Sequence, residues 1–211
     1  ISLSTIGASV AYGLYINDSE TTTVTQSMIS GGDTGVYFSD CKLNTISLST
    51  VTGIGSYGFY GNGAKFNRIM QSYLTGGVDG VNLDVGSNEN MVSQSTMVGV
   101  AGSGYVVTDA GQNTLTQSYA AGSVDGATVS SGDDNVIDLS TMIGSTHGFY
   151  VFGGNSNMVS RSYMWGGSNG AYADSGSVLN TISLSTMISS AVDAAALVLY
   201  GGSSNTIVDS Y

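Results

Sequence analysis

The chain has 211 residues, 41% of them hydrophobic and only 9% charged, with 31 glycines and no proline. Its net charge of −11 includes just four basic residues, Lys42, Lys65, Arg68 and Arg161, too few to grip nucleic acid or an anionic lipid surface. No apolar run approaches the ~20 residues of a membrane-spanning helix, and the lone Cys41 excludes a disulfide within the chain and is read as a small turn residue.

The first element, residues 1–5, reads Ile-Ser-Leu-Ser-Thr. The same five residues close two identical heptapeptides, 44–50 and 180–186, and looser copies fall between them. Aligned on one apolar position, the copies run Ile1, Val24, Ile46, Ile69, Val92, Leu115, Ile137, Val159, Ile182 and Ile207, at spacings of 22 to 25 residues. A serine stands three residues after every anchor: Ser4, Ser27, Ser49, Ser72, Ser95, Ser118, Ser140, Ser162, Ser185 and Ser210. An asparagine stands two residues before most of them, at Asn44, Asn67, Asn90, Asn113, Asn135, Asn157, Asn180 and Asn205, with Thr22 as the exception. A second landmark is a glycine opening an alternating stretch, at Gly13, Gly35, Gly58, Gly80, Gly104, Gly126, Gly148 and Gly170; the ninth copy substitutes alanines at 194–196.

Each unit therefore reads as an Asn turn, a short strand, a Gly-rich turn, a second short strand and a loop back to Asn. The strands alternate with period 2 and no segment keeps a period of 3.6, so almost no helix is expected. Units of this size with only strands and turns close as single coils that pair in parallel with the coils above and below. The expected fold is all-β: one parallel β-helix (β-solenoid) over 1–211, with about 9–10 coils of 22–23 residues.

Stacking turns each aligned column into a ladder along the axis. The anchor column faces inward, and so does the column five residues later, Ile6, Ile29, Val51, Leu74, Met97, Ala120, Met142, Met164 and Met187. The serines are expected to point inward with their hydroxyls in hydrogen-bonded rows, since a buried polar group requires a partner. The asparagines are expected at a turn in the left-handed conformation, with stacked side-chain amides. These two columns are structural ladders in this reading, because ten equivalent copies do not make a nucleophile.

In these features the sequence resembles the right-handed parallel β-helix of the pectate-lyase-like type, of the bacterial surface fibre and adhesin kind, whose members often carry an Asn ladder at a turn. The resemblance spans the whole chain and implies architecture rather than activity. Stretches such as 113–119 and 90–96 also resemble curlin repeats, but glutamine recurs only at Gln26, Gln71, Gln94 and Gln117. A flatter, two-sided solenoid is the alternative that this second resemblance implies.

The residue after each serine alternates along the chain: Thr5, Met28, Thr50, Tyr73, Thr96, Tyr119, Thr141, Tyr163, Thr186, Tyr211. The repeat is thus a two-coil unit of ~45 residues, and the identical heptapeptides mark alternate coils. This column faces outward by parity, as does a second with Tyr15, Tyr37, Tyr60, Tyr150 and Tyr172. Both are candidate contact surfaces for glycans or for lateral packing of neighbouring rods, beside the plain role of covering the sheet.

Chemistry leaves little trace in the residue types. His147 is read as a surface residue, and Asp79 and Asp125 as Asp-Gly turn residues in equivalent positions two coils apart. Asp133, Asp134 and Asp138 cluster without the regular Gly/Asp nonapeptide of calcium-binding β-rolls. No His/Cys metal cluster is present and corner lengths vary by only a few residues, so no catalytic residue, metal or cofactor is expected and the chain is read as a non-enzyme. The chain starts and stops inside the repeat without capping sequences, which suggests a segment of a longer repetitive protein or copies joined end to end. The expected function is an extracellular or cell-surface structural fibre, matrix or stalk with copies of itself as partners. The alternatives are an adhesin binding glycans along its Tyr/Thr face and, remotely, a polysaccharide lyase or hydrolase.

Overall fold

The computed structural model describes residues 1–211 as a parallel β-solenoid of about nine coils without helix. Each coil contributes three strands, and equivalent strands stack into three nine-stranded parallel sheets. In one coil these are Thr50–Gly53 in the first sheet, Phe59–Asn62 in the second and Arg68–Met70 in the third. Register is continuous: Thr50, Tyr73, Thr96, Tyr119, Thr141, Tyr163 and Thr186 are successive partners along one row. The flat two-sided alternative is thereby excluded.

The structure has three strands per coil where the sequence pattern suggested two. The stretch from anchor to Ser and beyond looks continuous, yet it bends between the third and first sheets. A single residue with positive φ makes that bend, for example Leu48 at 50° or Gln71 at 48°, and it resets the inward–outward alternation. The anchors and the column five residues on therefore both reach the core, from two different sheets. Val24, Ile46, Leu115 and Val51, Leu74, Met142 are all fully buried. The apolar core runs unbroken along the axis, and its removal from water at ~25 cal/mol per Å² is the main stabilising contribution.

The two polar columns sit at the corners, and their hydrogen bonds differ in detail from expectation. Each Asn is not itself left-handed; the residue before it is, as at Leu43 (58°), Phe66 (55°) and Glu89 (58°). That residue turns the chain so that the Asn side chain points inward under the corner. There Asn44 N–H and Nδ2 both donate to Asn67 Oδ1, at 2.9 and 3.1 Å, and the pattern repeats from Asn67 to Asn90 and from Asn90 to Asn113. Nδ2 also donates to a carbonyl of the preceding coil, as from Asn67 to Cys41 O at 3.0 Å. The serines form no hydroxyl-to-hydroxyl row. Ser49 Oγ donates to Ser47 O at 2.7 Å and accepts from the N–H of Ser27 in the preceding coil at 3.1 Å, tying each corner to its neighbour. Cys41 is a buried member of a small-residue row with Ala64, Ser87 and Ala110 beside the asparagines.

Asn113 is the partner of both the backbone and the amide of Asn90 and donates to Ser87 O at 2.8 Å. Replacing Asn113 by Ala leaves these buried groups unpaired. The expected loss is roughly 2–4 kcal/mol of unfolding free energy in chemical denaturation. The exposed Gln112→Ala, one residue away, should change it by less than about 0.5 kcal/mol.

Candidate functional site

The corner between the first and second sheets is where the coils cease to be alike. Reading along the axis, the residue before the landmark glycine is Tyr12, Thr34, Tyr57, Asp79, Ser103, Asp125, His147, Asn169 and Ala195. Two glycines hold each corner from Thr34 to Asn169 close to its neighbour. At Asp125 they are Gly122, where a Cβ would collide with Asp125 O, and Gly126, where it would lie 2.6 Å from Gly148 O. At Asp125, His147 and Asn169 the corner straightens into the strand itself, giving Asp125–Ser130, His147–Phe152 and Asn169–Ala173 in direct register.

This row borders the outer face of the second sheet, which carries two aromatic platforms. In the first, Tyr12, Tyr15, Tyr37 and Tyr60 succeed one another with ring centroids 4.9–5.6 Å apart, and Tyr57 stacks on Tyr60 at 4.9 Å and 19°. In the second, His147 stacks on Tyr150 at 5.2 Å and 21° and touches Tyr172 at 5.1 Å. The platforms are copies of one design. Tyr60 donates to Asp84 Oδ2 at 2.7 Å and Tyr150 donates to Asp174 Oδ2 at 3.1 Å, in each case reaching the next coil. Burial and these carboxylate partners push both phenols up to about 12, so both remain donors at neutral pH. Four coils, or about 19 Å, separate the equivalent tyrosines.

Between the platforms the face carries no ring, with the smaller Asn82, Val106 and Thr128 in the tyrosine row. Asp79 and Asp125 stand at its edge, two coils or about 9.6 Å apart, with Ser103 between them. Both are buried, at 8% and 5% exposure. Asp79 accepts from Ser103 N–H at 2.8 Å and from Asn82 Nδ2 at 3.1 Å, while Asn82 Oδ1 has no partner. Burial holds the Asp79 carboxyl above the usual range, and the charge of Asp125 adds to the rise, against the hydrogen bonds from Ser103 and Asn82. A protonated Asp79 would find an acceptor in Asn82 once that amide turned over. Asp125 accepts from Thr128 Oγ1 at 3.0 Å and pairs with His147 Nδ1 at 2.8 Å, which orients the imidazole and directs its second nitrogen away from the carboxylate.

The two tyrosine columns singled out in the sequence lie on different sheets. Tyr15, Tyr37, Tyr60, Tyr150 and Tyr172 build the platforms; Tyr73, Tyr119 and Tyr163 belong to the first sheet and stack on no other ring. Asp138 is held well away from any metal role. Despite partial burial, Arg161 and Ser160 donate to it and keep its carboxyl below the usual range. Sequence reasoning placed Asp79 and Asp125 in equivalent turns and noted His147, but did not join them with Ser103 into one row, because the residue types differ and each looks like an ordinary turn residue.

A family profile described as a right-handed β-helix region matches residues 12–163. The chain belongs to the right-handed β-helix family. No curated protein matches. Among solved structures it is similar to the full-length tailspike protein 2 of Escherichia coli O157:H7 bacteriophage CAB120, with a TM-score of 0.58 at 12% identity, covering 94% of this chain and 33% of that one. It is also similar to the enzymatically active domain of bacteriophage CBA120 tailspike protein 2, with a TM-score of 0.51 at 13% identity, covering 92% and 33%. A GH87 α-1,3-glucanase catalytic domain in complex with nigerose aligns at a TM-score of 0.48 and 11% identity, covering 96% and 59%. This β-helix thus spans about a third of the length of the tailspikes it matches.

These findings correct the expectation of a non-enzyme. That expectation rested on the lack of a His/Cys metal cluster and on even coils without a long loop, and the same fold is that of a domain described as enzymatically active. The physical reason is the stacking itself: a β-helix gathers side chains from successive coils onto one face, so a site forms without any protruding loop.

Two measurements test the local account. Gly126→Ala should lower stability by roughly 1–3 kcal/mol, since the added methyl meets backbone on the adjacent coil. The raised Asp79 makes the native state hold a proton that the unfolded chain releases near its ordinary value of 3.8. Stability should therefore fall as pH rises through the window from that value to the raised one, and Asp79→Asn should remove this slope in denaturation curves taken across it.

Proposed function

We propose that this chain is an extracellular, glycan-acting β-helix that holds an extended polysaccharide along the outer face of its second sheet. The observation that carries the reading is the duplicated aromatic platform on either side of the Asp79–Ser103–Asp125–His147 row. Tyrosine faces offer stacking surface for sugar rings, and their anchored hydroxyls with the nearby carboxylates offer partners for sugar hydroxyls. The rest of the coil stack is the rigid shaft that keeps the platforms in line, which retains the stalk-like character of the fold. The description of a similar tailspike domain as enzymatically active agrees with an active outer face on such a stack.

Cleavage of that glycan is favoured by the acid pair. Asp79, inclined to keep its proton, would donate it to the glycosidic oxygen as the C–O bond breaks. Asp125 would take a proton from the water that bonds to the sugar carbon. Two coil rises place the backbone positions of Asp79 and Asp125 about 9.6 Å apart, nearer the ~6.5–9.5 Å between the carboxyl groups of inverting enzymes than the ~5–5.5 Å of retaining ones, so inversion is the expected outcome.

Affinity electrophoresis against a panel of neutral and acidic polysaccharides tests binding. At least one should retard the chain, and Tyr60→Ala or Tyr150→Ala should weaken retention about tenfold, equivalent to ~1.4 kcal/mol. Reducing-end release from the retained polymer tests cleavage. Asp79→Asn and Asp125→Asn should each lower it by about 10²–10⁴-fold while leaving retention in place. Retention by no polysaccharide would overturn the glycan reading as a whole; retention without reducing ends would overturn cleavage alone.

A further inference from the structure

The first sheet presents a different kind of face. Its outward positions form two rows. One holds Thr5, Met28, Thr50, Tyr73, Thr96, Tyr119, Thr141, Tyr163 and Thr186; the other runs Gly7, Ser30, Thr52, Thr75, Val98, Ala121, Ile143, Trp165 and Ile188. None is charged, although the chain carries a net charge of −11. The outer face of the second sheet includes Asp84 and Asp174, and that of the third includes Arg68 and Asp138. Towards the C-terminal coils the second row becomes apolar, ending in Val98, Ala121, Ile143, Trp165 and Ile188. The bordering corner adds exposed Leu48, Leu139 and Leu184.

From Thr50 onward the first row alternates strictly between a small Thr and a large exposed Tyr. Tyr73, Tyr119 and Tyr163 are 46%, 39% and 37% exposed, and no ring lies against them. They stand about 9.6 Å apart with a recess over each Thr. The coil fold does not require this alternation, because the buried column beneath it, from Val51, Leu74 and Met97 to Ala120, Met142 and Met164, is apolar throughout and does not alternate. A second face of the same kind does. Shifted by one coil, about 4.8 Å, it would set each Tyr into the recess above a Thr.

We propose that the outer face of the first sheet is a self-association surface whose partner is a second copy of this chain, packed face to face with tyrosines between threonines. Electrostatics selects the occupant. Two copies, each at −11, repel wherever their acidic surfaces meet, and the outward rows of the first sheet bring no charge of either sign into contact. The area is of the right order. Nine strands of four residues cover about 500 Å² as a flat rectangle, and the bordering leucines extend this towards the ~800 Å² per partner of a stable interface. The face lies on a different sheet from the tyrosine platforms, so the two surfaces are tested separately.

Sedimentation velocity of the 211-residue chain from about 1 to 100 µM, with emission of the single Trp165 followed in parallel, decides the matter. Association with a blue shift of Trp165 on increasing concentration is the expected result. Thr96→Lys/Thr141→Lys, which fills two recesses with charge, should weaken association at least about tenfold and abolish the shift. Thr116→Lys, on the third sheet, should leave both unchanged. If the lysine pair disturbs the β-rich circular dichroism spectrum, Tyr119→Ser removes one knob instead and should also weaken association. A wild-type monomer at 100 µM, association indifferent to the first-sheet variants, or equal weakening by Thr116→Lys would each overturn the proposal.

Discussion

The structure depends on one constraint: every coil must present its backbone and side chains in register with the coil before and after it. Strand hydrogen bonds satisfy this in the three sheets, and the corners obey it too. Leu48 N–H reaches Met70 O and Gly104 N–H reaches Asp125 O, both at 3.1 Å, although neither donor lies within a regular strand pair. A coil that gained a residue in a strand would turn its apolar set outward and break the ladder on both sides. Length variation is accordingly confined to corners. Four residues follow Gly76 up to and including Gly80, for instance, and five follow Gly99 up to Gly104.

Corners are the expensive part of such a fold. Each coil places at least three residues in the left-handed region, and most are not glycine: Leu3, Leu48, Leu139 and Leu184 all have φ near 50°. A left-handed non-glycine residue costs of order 1 kcal/mol. The Asn and Ser ladders supply the compensation. They convert the backbone groups freed at each bend into short, buried, charge-neutral hydrogen bonds to the next coil. That is why Asn occupies the position after the strained residue and not the strained position itself. Its amide must point inward to meet its neighbours, and a left-handed Asn would direct it elsewhere.

How much was legible in the sequence follows from this logic. Columns that are alike in every coil, such as Ile46 with Ile69 or Asn67 with Asn90, announce themselves by spacing, and they yielded the parallel solenoid. Bends made by one residue did not, because a single Gln or Leu with positive φ carries no compositional sign. Two strands therefore read as one at positions 46–51. The candidate site lay further from view. Asp79, Ser103, Asp125 and His147 occupy one column, but their residue types differ, so the alignment that reveals Asn by sameness conceals them by variety. The signal available was the reverse of a repeat: the one corner column in which tyrosine, carboxylate and imidazole replace one another in a chain that is otherwise uniform.

The same reasoning separates the roles of the three faces. Uniform columns are fixed by the demands of the coil, and departures from uniformity are free to answer to something outside it. The third sheet varies among Thr, Arg, Met and Val, as at Thr45, Arg68, Met91 and Val136, without a period. On the second, aromatic rings give way to carboxylates and an imidazole and then return, a pattern suited to a ligand that runs along the axis and changes its contacts as it goes. The first departs in strict alternation of Tyr and Thr without charge, a pattern that repeats every second coil and therefore fits a partner with the same period. Another copy of this chain matches the two-coil step of about 9.6 Å by construction of its own repeat. The proposed self-association would give the ~45-residue sequence unit its reason on the outside of the molecule, on the first sheet, since no buried column alternates from coil to coil.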